Sequence, residues 1–157
     1  MSGDSSPPRA SSAQHAARFA QGAKSLARKL AMQALYRLQM NDAPWQDLIT
    51  EFATEEGMDK ADDGYFRELI EGIVGARAAL DSDLTGWMDR SPALLDPIEH
   101  AVLFIGVYEL KSRPEIPYRV VINEGVSLAK RFGATDGHKF VNAVLDRAAR
   151  TLRPHEH

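Results

Sequence analysis

The chain of 157 residues is 44% hydrophobic and 26% charged, with a net charge of −3, the composition of one ordinary globular domain or of two small bundles sharing a core. It contains no cysteine, which excludes a disulfide framework, a thiolate metal site and a cysteine nucleophile, and which fits a cytoplasmic protein. Its longest apolar run, residues 101–108, is too short to span a bilayer, so no membrane segment is expected.

Residues 1–23 are rich in Ser, Ala and Pro and lack an apolar stretch of the secretory kind. A disordered tail is expected there, because so few large apolar side chains cannot offset the entropy of ordering. From Lys24 to Met40, Leu26, Leu30, Ala34 and Leu38 recur every four residues and predict an amphipathic helix. "NDAP" breaks it, and Pro44 suits the first turn of a short second helix that carries Trp45, Leu48, Ile49 and Phe52. A third helix is predicted to open after Asp62 as N-cap and to run through Phe66, Leu69, Ile73 and Leu80 towards Trp87.

"RSPALLDP" holds Pro92 and Pro97 and marks the boundary between an N-terminal helical subdomain, 24–90, and a C-terminal one, 91–153. "DPIE" places Asp96 at an N-cap, Pro97 at N1 and Glu99 at N3, a capping-box-like start. The helix beyond it is apolar on nearly all sides and should be the central buried element. Another helix opens at Pro117 and ends at Gly133, and the last begins at Asp136. The fold class expected is all-α, two three-helix groups.

Charge is unevenly spread. Residues 1–40 carry a net +5, residues 41–115 a net −11 and residues 116–157 a net +3. Basic ends around an acidic middle could hold partners of opposite charge on separate faces, although a solvated helix surface produces the same pattern.

No nucleophile elbow, phosphate-binding loop or zinc-helix motif occurs. No catalytic residue, metal ligand or cofactor is expected, and the chain reads as a binding protein. The final helix is the most informative segment. In "FGATDGHKFVNAVLDRAAR", Val141, Val144, Leu145 and Ala148 form a core stripe, with Asp136, Lys139 and Phe140 at the rim of the helix start. An aromatic ring beside exposed cations can stack a base and pair a phosphate. The same ring could simply widen the core stripe, and Asp136 could be an ordinary N-cap.

Three segments, "RKLAMQALYRLQM", "AVLFIGVYEL" and "IPYRVVINEGVSLAKRFGATDGHKFVNAVLD", closely resemble those of the NusB family of bacterial transcription antitermination factors, over residues 24–153. The resemblance implies two three-helix bundles around a common core. It also implies binding of boxA-type single-stranded RNA as a heterodimer with NusE, a small-subunit ribosomal protein. That heterodimer would act in an antitermination complex on RNA polymerase, notably at ribosomal RNA operons. Carried over by position, the RNA surface comprises Lys24, Arg28 and Lys29 on the first helix, Trp87, and Asp136, Lys139 and Phe140. The NusE surface comprises Tyr36 and Glu99. Two departures stand out. The dense arginine cluster usual before "QALY" is thinned, and Phe104 stands where many relatives carry arginine, which would replace a polar partner contact by an apolar one. The alternative to RNA binding is a non-catalytic helical module that binds protein only.

Overall fold

The computed structural model describes residues 11–156, and among them every regular element is helical. α1 spans Ser12–Met40, α2 Trp45–Phe52, α3 Asp63–Val74, α4 Arg77–Thr85, α5 Pro97–Ser112, α6 Tyr118–Phe132 and α7 Gly137–Leu152. Short 3-10 turns cover Pro92–Leu94 and Pro154–Glu156.

α1 begins earlier than its apolar stripe. The Ser11 hydroxyl accepts from the Gln14 N–H, and the Gln14 side chain accepts from the Ser11 N–H, a closed capping box. Five alanines between residues 12 and 23 add high helix propensity. The tail expected over 1–23 is therefore helical from Ser12, while residues 1–10 lie outside the described part. Side chains from 11 to 22 are exposed, so this arm gains nothing from burial. It is propagated from the packed part of α1, which has already met the cost of nucleation.

α5 is the central element. Ala101 to Val107 and Leu110 are all buried, and α1, α3, α4, α6 and α7 pack around it. Gly106 is needed there, since a Cβ would lie 2.6 Å from a Leu145 methyl of α7. Phe104 belongs to this core too. It is buried and stacks on His100 at 4.3 Å between ring centroids, so it offers no apolar contact to a partner, contrary to the expectation from sequence.

The single helix expected from Asp62 to Trp87 is two. It breaks at Gly75 and Ala76, which turns α4 onto α5, where Asp81 meets His100 and Asp83 meets Lys111. The end of α7 is tied down by Arg153. Its buried guanidinium donates to the carbonyls of Glu109 and Leu110 in the last turn of α5 and of Arg113 and Ile116 just beyond it.

One buried polar cluster links four helices. Arg28 of α1, with 2% of its side chain exposed, pairs with Glu109 of α5 at 2.8 Å and with Glu124 of α6 at 3.4 Å. The Tyr65 hydroxyl of α3 donates to the same Glu109 carboxylate. Burial works against the charge on Arg28, but Glu109 and Glu124 hold its pKa above the ordinary value. Burial pushes the Glu109 carboxyl up, opposed by Arg28 and Tyr65.

Candidate functional site

The loop from α6 to α7 closes by a backbone choice that the sequence pattern hides. Asp136 occupies the N-cap position of α7 in the left-handed region, φ 62°, the one described non-glycine residue with positive φ. Its side chain accepts no capping hydrogen bond. The expected N-capping role is thus replaced by a turn-forming one, which short polar Asp tolerates better than most residues. The carboxylate is left exposed and stands 3.4 Å from the Lys139 ammonium, a surface pair worth little in itself.

Beside it, a pocket of about 290 Å³ is lined by Arg90, Asp96, Glu99, Asp136, Gly137 and Phe140, with Leu95, Ala134 and Thr135 completing the wall. Phe140 is half-buried, and the Arg90 guanidinium lies over its ring at 4.4 Å from the centroid. Lys139 is widely exposed, 72% of its side chain. The rim therefore brings together an aromatic ring, an exposed carboxylate and a cation from the first turn of α7 and a second cation from the segment before α5, the chemistry that holds an unstacked base and its phosphate.

Arg90 was not among the residues singled out from sequence. It sits in the irregular "DRSP" segment, where no periodicity points inward or outward, and only the path of the chain from α4 to α5 brings it onto Phe140. Trp87, just before that segment, goes elsewhere. Its indole N–H donates to Thr151 and its carbonyl accepts from Arg147, two to three turns along α7 from Phe140. The structure does not bring Trp87 together with the rim.

Glu99 is placed differently from its expected role. Instead of closing a capping box it turns inward, 4% exposed, with Oε2 lacking a hydrogen-bond partner. Asp96 alone caps α5, accepting from the N–H groups of Ile98 and Glu99. Burial and the neighbouring Asp96 carboxylate push the Glu99 carboxyl up to about 7. Gly137 makes room for it, since a Cβ there would lie 1.7 Å from Glu99 Oε1. Glu99 is a buried wall of the rim pocket, not an exposed contact on the Tyr36 face.

The basic start of α1 is also reduced. Arg28 is withdrawn from any ligand surface by the buried cluster described above. Lys24 is paired with Asp62 at 3.2 Å, about one-third of its side chain exposed. Lys29 remains, partly exposed and without an ion pair among the described residues. Helical spacing put all three on the same arm, yet 28 falls on the inner face.

Tyr36 is 39% exposed and borders a groove of about 450 Å³ with Met40, Phe52, Ile98 and Phe132. Ile98, one residue before Glu99, is what the start of α5 contributes to that groove. Among the described residues no group of three or more His, Cys, Asp or Glu side chains could hold a metal ion, and no helix is long and apolar enough to cross a membrane.

The sequence profile of the NusB family matches residues 25–150. The transcription antitermination protein NusB of Marinobacter nauticus is 45% identical over 151 residues, 96% of this chain and 93% of that protein. Its counterpart in Methylobacillus flagellatus is 48% identical over 129 residues, 82% of this chain and 84% of that one. Among solved structures, T. maritima NusB superposes with a TM-score of 0.72 at 29% identity, covering 80% of this chain and 89% of that one. A crystal structure of the antitermination factors NusB and NusE in complex with dsRNA matches with a TM-score of 0.70 at 27% identity, covering 85% and 98%.

Proposed function

This chain belongs to the NusB family, and from that premise we propose that it is a transcription antitermination factor that binds boxA-type single-stranded RNA together with NusE. In this reading it works in the cytoplasm, within an antitermination complex on RNA polymerase at ribosomal RNA operons, and performs no catalytic step. The observation that carries the RNA part is the rim at the start of α7, where Phe140, Arg90 and Asp136 line one pocket and the exposed Lys139 stands beside it, 3.4 Å from the Asp136 carboxylate. Phe140 stacks a base, Lys139 and Arg90 pair phosphates, and Asp136 accepts a hydrogen bond from a base or ribose. Lys29 adds a cation from α1.

The Tyr36 groove is the proposed seat of NusE. Its apolar floor and the acidic residues 41–115 suit a basic protein partner. The same reading divides the chain into an N-terminal group, 24–90, built on α1, α2 and α3, and a C-terminal group, 91–153, of α5, α6 and α7. It is supported by the mutual packing within each trio and by α1 and α3 docking on α5.

Few cations remain free, so RNA binding by the chain alone is expected to be weak and to be strengthened by NusE. With about three to four phosphates neutralised, a single-strand slope of about −0.7 per contact gives a loss of roughly 20- to 50-fold between 50 and 200 mM salt. A gel-shift series with boxA-type RNA, with and without NusE, measures this, and a flat salt response would exclude the phosphate contacts. Lys139→Ala should weaken binding to every RNA sequence alike. Phe140→Ala should cost about 1–3 kcal/mol of RNA affinity. Because Phe140 is half-buried, melting must accompany that measurement. A loss of stability that accounts for the whole loss of affinity would show that the ring serves the core and stacks nothing.

A further inference from the structure

Of the charged side chains that line the rim pocket, three are carboxylates, Asp96, Glu99 and Asp136, and one is a cation, Arg90. Arg90 lies over the Phe140 ring, and Lys139 is not part of the lining. The pocket therefore offers chiefly hydrogen-bond acceptors. Glu99 is the acceptor with an unmet need. It is 4% exposed and its Oε2 has no hydrogen-bond partner, a costly state for a buried polar atom. Asp96 lies one turn before it, and both of its capping bonds fall on Oδ1, so Oδ2 takes no part in the cap.

The Watson–Crick edges of the four RNA bases differ in how their donors are grouped. Uracil sets one N–H between two carbonyl oxygens. Cytosine and adenine each offer an amine next to a bare ring nitrogen. Guanine alone places two donors side by side, N1–H and the N2 amine. Two neighbouring carboxylates match that pair and oppose the lone pairs of the other three bases.

We propose that the rim pocket reads guanine, with Glu99 as the specificity-determining residue: Oε2 accepts from N1–H and the Asp96 carboxylate accepts from the N2 amine. This rests on the RNA reading above. Phe140 and Leu95 supply apolar walls, about 290 Å³ takes a single base, and the phosphates stay at the mouth with Lys139. A cationic side chain of a protein would meet the same carboxylates, but Arg90 and Lys139 oppose its entry, whereas a neutral base edge is not repelled by them. Burial and Asp96 hold the Glu99 carboxyl near 7, and it accepts on both oxygens only when ionised. The other charged groups facing it are Asp96 from the start of α5, Asp136 from the start of α7 and Arg90 from the segment before α5.

The test uses uridine oligomers about twelve nucleotides long, within the site sizes of single-strand grooves, with one central guanosine, inosine, adenosine or cytidine. The full chain should bind the guanosine oligomer roughly 5- to 150-fold more tightly than the adenosine one, the discrimination of one good two-bond base contact. Inosine, which lacks the N2 amine, should fall between them, and the guanosine preference should grow from about pH 6 to 8 as the carboxyl ionises. In Glu99→Gln the preference should disappear. It is read as a ratio of affinities within one protein, so a partly unfolded variant lowers every oligomer alike and leaves the ratio intact. A full chain without the guanosine preference, inosine bound as well as guanosine, or a Glu99→Gln variant that keeps the preference would each overturn guanine reading alone. So would an oligo-arginine peptide whose binding, and not that of guanosine, depends on Glu99. Failure of the full chain to bind any of the oligomers, or boxA-type RNA, would instead sink the RNA reading and this proposal with it.

Discussion

Replacing Arg28 by alanine is expected to cost about 3–5 kcal/mol of unfolding free energy, the penalty for leaving a buried ion-pair partner uncompensated. The variant strands Glu109, 1% exposed, with only the Tyr65 hydroxyl for company, and it releases Glu124 from its neighbour. Against a total of about 5–15 kcal/mol for a domain of this kind, such a loss brings the protein close to its threshold. Tyr65→Phe is the graded control. It removes one hydrogen bond to a charged group and should cost about 1.5–3 kcal/mol. Denaturant unfolding of both variants checks the ranking. A loss below about 1 kcal/mol for Arg28→Ala, accompanied by a fall in RNA affinity, would restore this arginine to the RNA surface.

The second large effect concerns Glu99 and pH. Its carboxyl sits near 7 in the folded chain, well above the value of about 4.3 of an unfolded glutamate. Between those values the folded protein holds a proton that the unfolded chain has already released. Its contribution to stability is therefore complete below about pH 4 and lost as pH rises through 7, a decline on the order of 3 kcal/mol. Asp96 works in the opposite sense. Its hydrogen bonding with Glu99 and with the start of α5 holds its pKa below the ordinary value, so its contribution is lost only as pH falls below about 4.

Glu99→Gln keeps the shape and removes the titration. The difference between the wild-type and variant stability curves between pH 4.5 and 7.5 isolates Glu99 from other buried acids such as Glu109, and parallel curves would show that Glu99 titrates like a surface residue. Glu99→Lys, which from sequence reverses a charge on the partner surface and weakens the helix start only slightly, is expected to unfold the start of α5 instead. It puts an ammonium where Gly137 leaves no spare volume, so loss of NusE in that variant would say nothing about the partner surface.

The secondary structure was legible wherever periodicity and capping agree. α5 was readable as the buried centre because it is apolar on all sides, and the capping residues Asp62 and Asp96 stand at the ends where their side chains are needed. The α1 arm was missed because helix propagation from a packed segment leaves no apolar signal of its own. The break at Gly75 and Ala76 was missed because the apolar pattern continues across it.

At the candidate site the division follows the same logic. Residue type and spacing along one helix determined that Asp136, Lys139 and Phe140 share a rim, since i to i+4 relations are local and fixed by 1.5 Å and about 100° per residue. Whether a charge faces water or the core is not local. Arg28 and Glu99 read as surface residues in any window of sequence, and Arg90 reads as loop. Only the packing of α1, α5 and α6 buries Arg28 against two carboxylates, only the glycine at 137 admits Glu99 beneath α7, and only the path between α4 and α5 lays Arg90 on Phe140. Each of those contacts joins residues about 38 to 96 positions apart, and the energy that decides them, desolvation against pairing, exists only once the helices have met.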